Sequence, residues 1–131
     1  MMTQTELEAV ATRFLEAWNC QDVEAVVACY SPDVVYRDPN TRGDVVGAEA
    51  LRRYLARLFA GWKMSWALRE AFALADGTGA AVLWRATFQR AGGDLVVEVQ
   101  GMDLVVLEGQ KIRRNEVYFD RTLLAPLTAA A

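Results

Sequence analysis

The hydrophobic period of this chain changes halfway along, and that change limits the folds open to it. Up to Gly61 the apolar residues recur at helical spacing; beyond it they alternate. Leu7, Val10, Ala11, Phe14, Leu15 and Trp18 form one stripe of a helix that begins near Glu6, with Thr3 or Thr5 as its cap. Asp22 caps a second, short helix with Val23, Val26, Val27 and Tyr30 on its apolar side. Ser31-Pro32-Asp33 reads as a turn, and Val34-Val35-Tyr36-Arg37 as a short strand ended by Asp38-Pro39-Asn40. After a loop through Gly43 and Gly47, a third helix from near Ala48 carries Leu51, Tyr54, Leu55, Leu58 and Phe59. Gly61 is placed to stop it.

The second half reads as four strands. Met64, Trp66, Leu68, Phe72 and Leu74 alternate along the first, which bends near Glu70. Val82, Trp84, Ala86 and Phe88 form one face of the next. A connection through Gly92 and Gly93 leads to a long strand from Leu95 to Leu107. Glu108-Gly109 turns into a fourth, Lys111 to Asp120, and Leu123 to Leu127 is a short tail. Helices followed by an antiparallel meander predict an α+β fold: a curved antiparallel sheet wrapped around the N-terminal helices. The concave side of the sheet and the helices would enclose an internal pocket. The 131 residues suit one domain, 1–131.

Composition narrows the chemistry. The chain has no histidine, which excludes Ser-His-Asp and Cys-His devices and any His-ligated metal. Acid–base work falls to carboxylates, tyrosines, lysines or cysteines. No carboxylate cluster has metal-ligand spacing and no glycine loop is built for phosphate, so neither metal nor cofactor is expected. A net charge of −3 gives no support for nucleic-acid binding, and Arg52, Arg53 and Arg57 read as the solvated face of a helix. No apolar run is long enough for a membrane span, and no secretory pattern opens the chain. Cys20 and Cys29 read as packing thiols. A cytoplasmic location follows as the expectation.

Two carboxylates stand out. Leu95, Val97, Val99, Gly101, Asp103, Val105 and Leu107 share one strand face, and Asp103 is its one charged member. A carboxyl on a buried face is costly unless hydrogen-bonded or kept protonated; the bland alternative is a bulge at Gly101 that turns it outward. Asp38 ends a strand before a proline, where it is either a turn former or a general base at a pocket mouth. Asp120 reads as a cap for the terminal turn. Asn115 lies on an otherwise apolar face as a polar contact inside the pocket. Trp18, Trp62, Trp66 and Trp84 are most simply core, with room for one or two in a ligand site.

These residues also carry a family likeness. Phe14-Leu15-Glu16-Ala17-Trp18-Asn19, Asp22-Val23, Tyr30 through Pro39, Gly47 before a helix, Gly109-Gln110-Lys111-Ile112 and Glu116 through Asp120 resemble the nuclear transport factor 2 superfamily. Within it they are most similar to the SnoaL-like and ketosteroid-isomerase-like branch. The resemblance implies a cystatin-like cone with an internal pocket and a homodimer formed through the sheet. It implies that Asp38 matches a general base and Asp103 a protonated oxyanion-hole aspartate. Ketosteroid isomerase is the standard case of a carboxylic acid kept neutral by an apolar site. Phe14 stands where the family's oxyanion tyrosine falls, and it has no donor. Val117 stands where epoxide-hydrolase members carry a catalytic aspartate. Tyr30 and Tyr54 fall near pocket positions, and Trp18, Trp84, Phe88 and Phe119 would wall the site.

The expected function is a cofactor-independent enzyme moving a proton on a small, largely apolar carbonyl compound, of isomerase or polyketide-cyclase type. The alternative is a non-catalytic binder of a small apolar or aromatic ligand, or an accessory dimeric protein, of the same fold.

Overall fold

The computed structural model describes residues 2–129. Thr3 is the first cap: its Oγ1 accepts the Glu6 N–H at 3.1 Å. Helix α1 therefore runs Gln4–Asn19, two residues ahead of Glu6, and buries Leu7, Ala11, Phe14, Leu15 and Trp18. Asp22 caps α2, Val23–Val27, by accepting from the Glu24 and Ala25 amides. Next come β1 (Tyr30–Arg37), β2 (Val45–Val46), α3 (Ala48–Gly61), β3 (Trp62–Ala73), β4 (Gly79–Arg90), β5 (Val96–Glu108) and β6 (Lys111–Tyr118). A 3-10 turn, Arg121–Leu124, and α4, Ala125–Ala129, follow. Asp120 caps that turn through the Thr122 amide.

The six strands form one curved, open sheet in the order β2-β1-β6-β5-β4-β3. Strands β3 to β6 are the antiparallel meander that the alternation predicts. One pairing departs from an all-antiparallel sheet: β1 lies parallel to β6. The α3–β5 segment separates them and provides the long connection that a parallel pair requires.

Ser31-Pro32-Asp33 is not a turn but the start of β1. The β1–β6 register lapses between Tyr30 and Val35, so the proline N–H is missing where no ladder bond is made. The short strand β2, hidden in the sequence by its two residues, pairs Val45 and Val46 with Tyr36 and Val35.

Bulges reset which residues face the core. Between Leu68 and Glu70 the β3–β4 register shifts by one. Ala71 is buried as a result, and Phe72, expected on the inner face, is 52% exposed. No such shift occurs at Gly101, where the β4–β5 register is continuous from Gly79 to Gln89. Asp103 therefore points inward.

Amide side chains hold the outer edge of β3. Gln21 accepts from the Met64 N–H at 2.7 Å and donates to the Trp62 carbonyl at 2.9 Å. Asn19 does the same for the N–H and C=O of Trp66, at 2.7 and 3.0 Å. Gln4 donates to the Ala71 carbonyl at 2.9 Å. These bonds dock α1 on the strand that carries Met64 and Trp66.

The two cysteines do not both pack. Cys20 is exposed at the C-cap of α1, where the helix has already ended, while Cys29 is half-buried against the core. Among the described residues no helix is long and apolar enough to cross a membrane.

Candidate functional site

Asp38 follows the last residue of β1, and its two carboxylate oxygens face different ways. Oδ1 accepts the backbone N–H groups of Asn40 and Thr41, at 2.7 and 3.1 Å, forming the Asx turn that Pro39 favours. Oδ2 accepts the hydroxyls of Tyr36 and Tyr54, at 2.6 and 2.5 Å. Asp38 is thus a turn former and a pocket group at once. Four donors occupy the roughly four lone-pair positions of a carboxylate. Burial, with the charge of Asp38 second, pushes both phenols well above the ordinary tyrosine range, so they remain donors.

Asp103 occupies the inner face of β5, between Val82 of β4 and Val117 of β6. Its hydrogen-bond partners are the diagonal neighbours. Trp84 Nε1 donates to Oδ1 at 2.9 Å, and Asn115 Nδ2 lies 3.3 Å from Oδ2. Behind them the network continues: Tyr30 Oη donates to Asn115 Oδ1 at 2.7 Å, and Trp18 Nε1 donates to Tyr30 Oη at 3.3 Å. Asp103 is 4% exposed. Burial raises its pKa from the ordinary 3.8 to about 7, against the pull of the Trp84 and Asn115 bonds and with a further push from the Asp38 charge.

Gly101 makes this arrangement possible. A Cβ there would lie 2.5 Å from the Trp84 ring and 2.6 Å from the Tyr118 carbonyl oxygen. The ring can lie over residue 101, and so reach Asp103, only if that residue has no side chain. Gly101→Ala is expected to destabilise the fold by about 2–3 kcal/mol, the usual size of an overpacked core. Chemical denaturation would measure it, and an unchanged midpoint would refute the packing argument.

Both carboxylates lie in the wall of one cavity. Phe14, Leu15, Trp18, Tyr36, Asn40, Leu58, Met64, Trp66, Phe88, Val117 and Phe119 complete it. Its free space is about 30 Å³, room for a water molecule or two. Of the expected ligand contacts, Phe14, Trp18, Phe88 and Phe119 line it. Tyr30, Trp84 and Asn115 do not: they are fully packed behind Asp103 and set its position. Tyr54 lies on the far side of Asp38, in an outer groove.

Tyr36 is a cavity residue that the sequence did not single out, and Trp66 is one of the tryptophans for which it left a ligand site open. Tyr36 shares a strand face with Asp38, two residues on, and that alternation was the available signal. Trp66 Nε1 is a buried side-chain donor with no partner among the described residues. Buried donors of that kind are rare. The described residues contain no cluster of side chains able to hold a metal ion.

A helix-capped, curved sheet with an acidic-and-aromatic cavity is the architecture of the nuclear transport factor 2-like cone. The SnoaL-like domain matches residues 11–115, and the chain belongs to that family. Solved structures agree in fold. A ketosteroid isomerase-like protein from Erwinia carotovora atroseptica SCRI1043 is 22% identical, with a TM-score of 0.71 over 88% of this chain and 95% of that one. A candidate SnoaL-like polyketide cyclase from Jannaschia sp. CCS1 is 19% identical, with a TM-score of 0.79 over 98% and 94%. The epoxide hydrolase/cyclase-like enzyme SalBIII, of pyran ring formation in the polyether salinomycin, is 20% identical, with a TM-score of 0.79 over 93% and 96%. No curated protein sequence matches the chain.

Proposed function

We propose that this protein is a cofactor-independent acid–base enzyme acting on a small, largely apolar carbonyl compound. One observation carries the reading: Asp38 and Asp103 share the wall of a single, otherwise mostly apolar cavity. Asp38 takes a proton from the carbon beside the carbonyl. The C–H electron pair moves toward the carbonyl oxygen, and protonated Asp103 hydrogen-bonds the negative charge that develops there. Asp103 Oδ2 is the oxygen to carry that proton, since its one bond is the longer contact to Asn115. The unpartnered Trp66 N–H offers a second donor to the ligand oxygen, which Phe14 cannot. Returning the proton elsewhere gives isomerisation; attack of the enolate on a second carbonyl gives ring closure; loss of a β-hydroxyl gives dehydration.

Two features require the site to open first. Asp38 needs a free lone pair, and Tyr54, half-buried on α3, is better placed to withdraw than Tyr36, which is 1% exposed. The cavity must also widen beyond 30 Å³ to admit any ketone.

The test is exchange of α-protons of small ketones such as cyclopentanone in deuterated buffer, followed by NMR. Catalysed exchange above the buffer rate, declining as pH rises through about 7, is expected from the titration of Asp103. A second reading, a non-catalytic binder, draws on the missing hydroxyl at Phe14 and the fully occupied Asp38. Binding of the same ketones with no exchange above buffer would select it.

A further inference from the structure

Five arginines line one groove outside the cavity: Arg42, Arg53, Arg57, Arg90 and Arg121. None pairs with a carboxylate among the described residues, where the ion pairs use Arg37, Arg52 and Arg114. The one acidic residue in the groove wall, Asp44, is already bound by Arg37 at 2.6 Å. The chain as a whole is acidic, with a net charge of −3. Five of its 14 basic residues nonetheless converge on one concavity, against the overall charge.

The sequence suggested a solvated helix face for Arg52, Arg53 and Arg57. The structure divides them. Arg52 turns to Glu24 and Glu49. Arg53 and Arg57, one turn apart on α3, face the groove. Two others are held in place. The Arg90 guanidinium lies 4.7 Å from the centre of the Trp62 ring, and Arg121 Nε donates to Asn40 Oδ1 at 2.7 Å.

The groove adjoins the cavity. Asn40 and Leu58 belong to both walls, and Tyr54, in the groove wall, has its hydroxyl on Asp38. The open volume of the groove is about 780 Å³, against about 30 Å³ within. A ligand too long for the inner cavity, with its reacting end beside Asp38, can extend past Tyr54 and Leu58 into the groove and meet the arginines. Guanidinium groups bind carboxylate and phosphate oxygens in two-pronged fashion and keep their charge at every relevant pH.

We propose that the groove binds an anionic group, a carboxylate or a phosphate, at the end of the ligand opposite its carbonyl. The inference rests on the ketone reading of the inner cavity, which it narrows to anionic keto compounds.

Three probes test it: 5-oxohexanoate, 5-oxohexyl phosphate and methyl 5-oxohexanoate, with inorganic pyrophosphate as the anion alone. Binding is measured by calorimetry, and by the NMR shifts of the Trp62 indole and arginine Nε–H groups. At low salt at least one anionic ketone should bind about tenfold or more tightly than the ester, an advantage that salt reduces. Whichever anionic ketone binds tighter tells carboxylate from phosphate. The double variant Arg53→Gln/Arg57→Gln should lose that advantage and bind the ester as before; both side chains are exposed, so the fold should persist. Equal binding of acid, phosphate and ester, or an advantage that survives the double variant, would overturn the proposal. Pyrophosphate shifts in the groove without binding of any ketone would overturn the ketone reading and uphold the anion site. No pyrophosphate shifts and no anionic preference, with ketone exchange intact, would overturn the anion site alone.

Discussion

Asp38→Asn is expected to reduce α-proton exchange by about 10²–10⁴-fold, the usual contribution of a positioned general base. An amide oxygen cannot accept a proton from carbon at neutral pH, yet it keeps most of the local bonds. It can still accept from the Asn40 and Thr41 amides, preserving the turn. The Tyr36 and Tyr54 hydroxyls can rotate to accept from the new amide nitrogen. Far-ultraviolet circular dichroism should therefore be unchanged while exchange falls. A second signature separates lost chemistry from disturbed structure. The Asp38 charge is one cause of the raised Asp103 pKa, so its removal should move the remaining pH inflection downward. Exchange at the unaltered rate would exclude Asp38 as the base.

Asp103→Asn should have opposite effects on stability and on activity. The folded carboxyl titrates at about 7 and the unfolded one near 3.8. Below pH 3.8 both states are protonated and the group has no effect on folding. Between the two values the unfolded chain ionises while the folded one stays neutral, so stability falls as pH rises. Above pH 7 the loss levels off, at about 4 kcal/mol if the full difference is realised. Asparagine is uncharged at every pH. Its carbonyl can accept from Trp84, and its amide can meet Asn115 only if that side chain turns over and gives up the Tyr30 bond, a cost that is the same at every pH. The melting temperature of the variant relative to the wild type should rise by several degrees between pH 4 and pH 8. The expected sign follows from ionisation favouring the unfolded chain in the wild type alone. An amide N–H is also a weaker donor to an enolate than a carboxylic acid, so exchange should fall, and its inflection near pH 7 should disappear. Parallel stability curves for the two proteins between pH 4 and 8 would refute the neutral buried acid.

The switch from helical to alternating period located α1, α3 and the four-stranded meander because each is long enough to repeat its pattern several times. Asp103 was legible for the same reason: one charge in a run of apolar residues on one face. Four parts were not legible. The parallel pairing of β1 with β6 joins segments some 80 positions apart, and no local pattern encodes a partner that distant. The reversal at Ala71 and Phe72 follows from a one-residue bulge, and alternation cannot report its own interruption. The roles of Tyr30, Trp84 and Asn115 could be guessed as polar or aromatic neighbours of the site. Whether they line it or stand behind it depends on depth, which a one-dimensional pattern does not contain. The arginine groove was the hardest to read, since its members come from the β1–β2 loop, α3, β4 and the terminal turn.

The three amide side chains along β3 have a consequence for how copies of this protein meet. A sheet normally grows at a margin where backbone donors and acceptors are left open. Here Gln4, Asn19 and Gln21 occupy those groups at Trp62, Met64, Trp66 and Ala71. The opposite margin, β2, offers only two residues as a template. Both ends of the sheet are thus poor seeds for cross-β growth, and three polar residues at a helix and its exit serve as a safeguard against amyloid-like stacking.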